Sequence, residues 1–324
     1  MYGRTIVKFL KKDYPCVDYV VGTYAKHHFG NIISAVEENS QTEQLDDTEA
    51  YKFAPLSYEQ GSFTAFVPIM HGCNNFCTYC IVPYVRGREC SRPVDEILKE
   101  IDTLSSYGVR EITLLGQNVN SYHGMNGDKE TNFAELLQII ANHLRDTNSS
   151  IGWVRFMSSH PKDLSDEVIN VISKEEVLCN HIHLPVQPGS TRILKEMNRR
   201  YTRKNYISLV EKIRKIIPNV SLTTDLMMGF PGETEEDFED TLDVVRKVCF
   251  EQVYMFIYSR RVGTPGDRME NQVPEEQKHK RFDKLKALVE SQIAENNQKI
   301  DFLQKDDAKT NANDIKALEE KNLI

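Results

Sequence analysis

Three cysteines fall within eight residues of the stretch "HGCNNFCTYCIVPYVRG" (71–87): Cys73, Cys77 and Cys80, with three residues and then two between them. Thiols packed this tightly along a chain are ligands more readily than scattered core residues. A structural zinc ion asks for four closed ligands, and the fourth here would have to be His71, Cys90 or a more distant residue. Cys90 stands ten residues beyond Cys80, behind "YVRGRE". An electron-transfer ferredoxin cluster also takes four cysteines, at a different spacing. Three thiolates suit a four-iron cluster whose last iron stays open to an exogenous ligand. The other cysteines, Cys16, Cys90, Cys179 and Cys249, form no close triplet and read as small buried fillers.

The elements that must hold this loop alternate. Short apolar or β-branched runs occur at 63–70, 111–116, 153–157, 181–186, 219–229 and 252–259. Amphipathic segments lie between them, with apolar residues recurring at three and four, as in Ile97, Leu98, Ile101 and Leu104. Six strands with intervening helices predict an α/β fold on a parallel sheet, doubly wound or an incomplete barrel. Both arrangements gather function at the carboxyl ends of the strands. There the sequence puts the cysteine loop, "GQN" (116–118), "SSHP" (158–161), "VQPGS" (186–190), "GFPGET" (229–234) and "SRRVGTP" (259–265). In the last "GFPGET" residue, Thr234 is expected to cap the next helix. His183 reads as a hydrogen-bonded strand histidine or a site residue.

Composition limits the function classes. The chain has 324 residues, 40% hydrophobic and 27% charged, with a net charge of −8. No apolar run approaches a membrane span, and the N-terminus lacks the features of a signal peptide, which points to a reducing cytoplasm. Residues 37–49 carry six acids and no base, whereas 192–215 carry nine Lys or Arg against two Glu. That basic run is either a solvated helix face or a local phosphate-binding surface. Four regions follow: 1–36, the end of a small α/β domain with a strand at "CVDYVVGT"; 37–61, an acidic linker; 62–300, the core, closing in a long charged helix from about Val273; and 301–324, a helical or disordered tail.

The Cys-x3-Cys-x2-Cys spacing, with Tyr79 just before the last ligand, resembles the signature of radical S-adenosylmethionine (SAM) enzymes. The wider set "LLGQNVNSYHG", "SSHP", "HLPVQPGS", "MNRRYTR", "DLMMGFPGETEEDF" and "SRRVGTP" resembles the methylthiotransferase family, nearest the branch acting on isopentenyladenosine beside the tRNA anticodon. The resemblance implies an incomplete (β/α)6 radical SAM barrel preceded by the remnant of a small α/β domain. It implies a [4Fe–4S] cluster with one open iron on Cys73, Cys77 and Cys80, and bound SAM. Tyr79, Gly116, Gln117, Gln187, Gly229 and Arg261 then become cofactor-binding residues, with Gln117 accepting from the SAM ammonium. Arg199, Arg200 and Arg203 become RNA-binding residues, since backbone recognition needs cations near the rim. Expected partners are tRNA and a flavodoxin-like electron donor, with no membrane and a monomeric chain.

Two departures from the family pattern stand out. Members carry three further cysteines in an N-terminal domain, for a second [4Fe–4S] cluster, and end in a small β-barrel RNA-binding domain; neither feature is matched here. The chain therefore reads as a fragment or divergent product holding the radical core. The competing readings are a target of threonylcarbamoyl-adenosine or a ribosomal-protein aspartate, and a non-catalytic, zinc-stabilised RNA-binding module.

Overall fold

The apolar runs become parallel strands, and the residues that interrupt them form the turns at their carboxyl ends. The computed structural model describes residues 12–14, 16, 17, 29–38, 51–53 and 61–296. The chain divides into two units. The first takes Met1–Phe76, Cys80–Ser158 and Ser165–Cys179; the second takes Cys77–Tyr79, Ser159–Leu164 and Asn180 onward.

In the first unit, β1 (Thr64–Pro68), β2 (Glu111–Leu115) and β3 (Trp153–Phe156) pair in parallel in that order. Thr64 lies opposite Glu111, and Glu111 opposite Trp153. Val67, Ile112, Leu114, Val154 and Phe156 are buried. Helix α1 (Val94–Ser106) buries Val94, Ile97, Ile101 and Leu104, spaced three or four apart on one face. Its first turn carries Asp95 and Glu96, which the helix dipole favours there. Helix α2 (Phe133–Asp146) starts from a capping box in which Asn132 and Glu135 each accept the other's backbone N–H. Helix α3 (Asp166–Ile172) is capped by Ser165. A hairpin, His123–Asn126 with Lys129–Asn132, sits between β2 and α2. Its two-residue loop is Gly127–Asp128, with Gly127 at φ +61° in the first loop position, where glycine is favoured.

The second unit holds β4 (His181–His183), β5 (Ser221–Met228) and β6 (Gln252–Ile257), parallel, with β5 central. Helices α4 (Thr191–Glu196), α5 (Arg203–Ile216) and α6 (Glu235–Val248) begin at Ser190, Thr202 and Thr234, whose side chains accept from the first turn. Thr234 thus caps α6 as its position predicts. A further helix begins at 275, its described part reaching 296. It is tied down by buried cations: Arg281 Nη1 pairs with Glu233 Oε2 at 2.7 Å, and Lys278 Nζ donates to Tyr258 O at 3.2 Å.

All six expected strands are present, but as two three-stranded parallel sheets rather than one ladder of six. The outer edge of β3 is taken by the segment before β4: Val154 N–H donates to Val177 O at 2.8 Å, and Cys179 N–H to Val154 O at 3.0 Å. Most of the strand expected at 16–23, most of the linker at 37–61 and the tail at 301–324 lie outside the described residues; a helix at Phe29–Glu37 lies within them. Among the described residues no helix is long and apolar enough to cross a membrane.

Candidate cluster and cofactor site

The cysteine loop is braced on both sides of its first cysteine. A short antiparallel ladder pairs Met70 with Ser91 and His71 with Cys90. Gly72 follows at φ +77°, and a Cβ there would overlap Arg88 O, so the position admits glycine alone. Cys73 N–H donates to Gly87 O at 3.2 Å. Asn74 then clasps Glu89, through N–H to Oε1 at 3.0 Å and Nδ2 to Oε2 at 3.2 Å. Cys73 and Cys80 are half-buried. Cys90 is also half-buried, and burial pushes its thiol up, away from the thiolate that a ligand must be.

Cys77–Tyr79 is stitched into the second unit. Thr78 N–H donates to Met197 O at 3.1 Å, its Oγ1 to Glu196 O at 2.9 Å, and Gly266 N–H donates to Thr78 O at 2.8 Å. Tyr79 packs on Ile193, Met197, Phe230 and Tyr258. Cys77 is buried, and Arg199 Nη1 lies 3.9 Å from its sulfur and 3.2 Å from Tyr79 Oη.

The rim residues divide into holders and open acceptors. Gly116 ends β2 where a side chain would run into Met70 Cγ. The adjacent Gln117 has a buried Oε1 with no hydrogen-bond partner among the described residues. In the second unit, Gln187 adopts φ +68°; its N–H donates to Asp225 O at 2.9 Å and its carbonyl accepts from Met227 at 3.2 Å. Its side-chain Oε1 is likewise buried and unpartnered among the described residues. A buried carbonyl left without a donor costs free energy, so each of the two, in its own unit, suits a ligand group that brings an N–H donor to it. Gly229, at φ +78°, donates its N–H to Glu233 Oε2 at 2.7 Å, and a Cβ there would strike Lys278 Cγ. Its glycine is therefore already required by packing. Arg261 is exposed, and its backbone carbonyl accepts from Thr264 at 3.0 Å.

The basic run needs correction. Arg199, expected at an RNA-facing surface, is buried, with Nη2 on Pro185 O at 2.7 Å and Nε on Tyr201 Oη at 2.6 Å. The reason is the end of α4. Asn198 N–H returns to Lys195 O and Arg199 N–H to Leu194 O, with Asn198 left-handed at φ +57°. This Schellman closure turns the residue after Asn198 back onto the helix. Arg203, at the start of α5, is matched by Asp240 and by Asp243 at 3.6 Å, so its charge is largely neutralised by carboxylates. Arg200 alone of the three is exposed with no ion pair among the described residues.

Two residues acquire a place that their motifs alone did not indicate. His160 of "SSHP" is buried; burial first, then Arg199 and Lys162, push it down to about 2, so it is a neutral imidazole. Ser190 caps α4 and donates to Asp237 Oδ1 at 2.5 Å, a structural role. His183 is a strand histidine, with Nδ1 2.9 Å from Thr223 Oγ1 and Nε2 3.5 Å from Asp225 Oδ1.

Among the described residues no three His, Cys, Asp or Glu side chains converge on a point that one metal ion would occupy, the closed set structural zinc requires. A cubane asks less, since each thiolate binds a different iron. Three thiols within eight residues, Cys73, Cys77 and Cys80, have the donor chemistry of that group.

The radical SAM superfamily model matches residues 67–245. A tRNA-2-methylthio-N(6)-dimethylallyladenosine synthase of Treponema pallidum (strain Nichols) is 47% identical over 292 residues, 86% of this chain and 64% of that protein. Synthases of the same name from Clostridium botulinum (strain Okra / Type B1) and Clostridium tetani (strain Massachusetts / E88) are 48% and 50% identical, each over 92% of this chain and 65% of theirs. The chain thus spans about 64–65% of the length of these relatives. Among solved structures, the radical SAM methyltransferase TsrM of Kitasatospora setae, with cobalamin and a [4Fe–4S] cluster bound, has a TM-score of 0.59 at 13% identity, covering 76% of this chain and 54% of TsrM. Coproporphyrinogen III oxidase (HemN) of Escherichia coli, a radical SAM enzyme, has a TM-score of 0.52 at 17% identity, covering 71% and 52%. These likenesses show the fold, the partial (β/α) barrel expected from the sequence. With the family model matching over half its length and the three-cysteine loop in place, this chain belongs to the radical SAM superfamily.

Proposed function

We propose that this chain is the radical core of a tRNA methylthiotransferase that adds a methylthio group to the adenine of isopentenyladenosine beside the anticodon. The observation that carries the reading is 47–50% identity, over 86–92% of the chain, with synthases named for that product. Cys73, Cys77 and Cys80 are the residues that hold the cluster, and Tyr79, Gly116, Gln117, Gln187, Gly229 and Arg261 attend the cofactor. Bound there, a [4Fe–4S] cluster would supply the electron that reductively cleaves SAM and so opens radical chemistry on the target. The chain's own residues orient these partners. Gln117 Oε1 is an acceptor held ready for the SAM ammonium, and Gly116 keeps the backbone close. Arg200 is the exposed cation that suits an RNA phosphate. A flavodoxin-like donor supplies the electron, and the chain acts as a monomer. A second cluster, for the inserted sulfur, belongs to the longer relatives that the resemblance invokes.

The test is anaerobic. Reconstituted with iron and sulfide, the chain should be brown, bind about four irons, and form 5′-deoxyadenosine with a low-potential reductant. Isopentenylated tRNA should stimulate that turnover more than threonylcarbamoylated tRNA or a ribosomal protein. Colourless protein with stoichiometric zinc overturns the radical reading; stimulation by one of the other substrates overturns the target.

A further inference from the structure

Arg199 is a buried cation that meets no carboxylate among the described residues. Its guanidinium donates to three neutral oxygens, Pro185 O at 2.7 Å, Tyr201 Oη at 2.6 Å and Tyr79 Oη at 3.2 Å, and Nη1 also lies 3.9 Å from Cys77 Sγ. Arginine stays protonated at any physiological pH. A buried charge without an opposite charge is costly, and folds that keep one supply the anion. The neighbours narrow the source. Burial pushes the Tyr201 phenol up to about 12, and His160 is held neutral. The sulfur of Cys77 is the neighbour that becomes an anion, once it is a metal ligand.

We infer that Arg199 is a positioning residue for the iron–sulfur group: its guanidinium is the fixed counter-charge of the Cys77 thiolate and raises the reduction potential of the cluster bound there. The inference rests on the reading that Cys73, Cys77 and Cys80 hold that cluster. A cluster with three thiolates is already negative, and one-electron reduction adds a further negative charge. A cation fixed in a medium of low dielectric constant stabilises the reduced form more than the oxidised one. Hydrogen bonds to cluster sulfurs act in the same direction. The cation is also rigid. The Schellman closure after α4 aims it, and Tyr201, which itself donates to Val186 O at 2.8 Å, holds Nε in place.

The experiment is a redox titration of the reconstituted full chain, followed by electron paramagnetic resonance of the reduced cluster, with dithionite as one-electron donor. Arg199→Gln should make the reduction equilibrium about tenfold less favourable, a fall of about 59 mV for a one-electron couple. Arg199→Lys keeps the charge but cannot make the fork of hydrogen bonds, so it should retain most of the parent's potential. A purely structural role predicts the reverse pattern, with both variants impaired alike in cluster content and equal potentials in what cluster remains. If Arg199→Gln yields no folded protein, Tyr201→Phe, which frees Nε, should lower the potential by a smaller step. A parent without the absorption and resonance signals of a [4Fe–4S] cluster overturns the cluster reading and this inference together. A parent with the cluster whose potential is matched by Arg199→Gln overturns the inference alone. So does an unchanged potential with weakened SAM binding, which would assign the guanidinium to the cofactor's carboxylate.

Discussion

Replacing Gln117 by methionine should move binding and stability in opposite directions. The residue lies two positions beyond β2, and its Oε1 is buried with no hydrogen-bond partner among the described residues. Methionine keeps the length and volume but removes the amide. In the ligand-free protein the substitution therefore relieves the desolvation of an unsatisfied carbonyl, worth about 1 kcal/mol at the low end for such groups. For a domain of this size that corresponds to a rise in Tm of about 2–4 °C. With SAM bound, the same carbonyl is offered to an ammonium, and losing a hydrogen bond to a charged group costs about 1.5–3 kcal/mol, roughly 10- to 150-fold in Kd. The assays are thermal unfolding of the chain without SAM and equilibrium binding of SAM to the reconstituted protein. Cluster content should be unchanged, because Gln117 is not a ligand. A lowered Tm together with an unchanged Kd would show that Gln117 serves the fold, and the cofactor contact would have to be abandoned.

Substituting Ala for Cys73, Cys77 or Cys80 should abolish iron binding and SAM cleavage together, whereas Cys90→Ala should keep both; iron analysis of the four variants decides, and loss of iron from Cys90→Ala would make it a ligand. Arg200→Glu should weaken tRNA binding and reduce the slope of log K against log salt by about one phosphate contact. Arg203→Glu, in contrast, puts a carboxylate beside Asp240 and Asp243 and should lower Tm, with equal salt slopes for Arg200→Glu and parent refuting an RNA role for this face. Asp237 supplies a pH test. Burial opposes its ionisation, yet hydrogen bonds from Arg192, Ser190 and Thr234 hold its carboxyl down to about 2. A depressed folded value gives stability that is present above the unfolded value near 3.8 and lost as pH falls toward 2. Asp237→Asn should flatten that part of the acid-stability curve, of order 2 kcal/mol, as read by urea midpoints; an unchanged pH slope would put the carboxylate's partners in doubt.

The strands were legible because each is a short apolar run cut off by glycine, proline or a polar turn. Glu111–Leu115 and Gln252–Ile257 fall inside the expected 111–116 and 252–259, with only the flanking turn residues trimmed. The helices were legible for the complementary reason. Apolar residues at three and four, as in α1, cannot all face inward on any other regular structure. What periodicity could not supply was the partner of an edge. Val177–Cys179 has no alternating pattern, yet it closes the side of β3, since backbone groups pair without regard to side-chain type.

The site shows the same division more sharply. Spacing alone singled out Cys73, Cys77 and Cys80, because three thiols so close have little other use. Counting charge misjudged Arg199, because a net surplus of cations says nothing about which of them points outward. The information was nonetheless local: an asparagine just past the end of a short capped helix is the residue that takes the left-handed turn, and the residue after it folds back over the helix. At Arg199 that position carries a cation where the motif ordinarily puts an apolar side chain. The same "MNRRYTR" stretch therefore holds two different roles at adjacent positions, an inward arginine at 199 and an outward one at 200. Cap geometry separates them, and composition cannot. A basic run near a candidate RNA face is best read residue by residue, first removing those turned inward by a helix end and those matched by carboxylates, as Arg203 is by Asp240. Of the three arginines expected to bind RNA, Arg200 is the one left by this reading, so they would offer a phosphate about one contact, not three, beside the exposed Lys195, Lys204 and Lys215 of the same run.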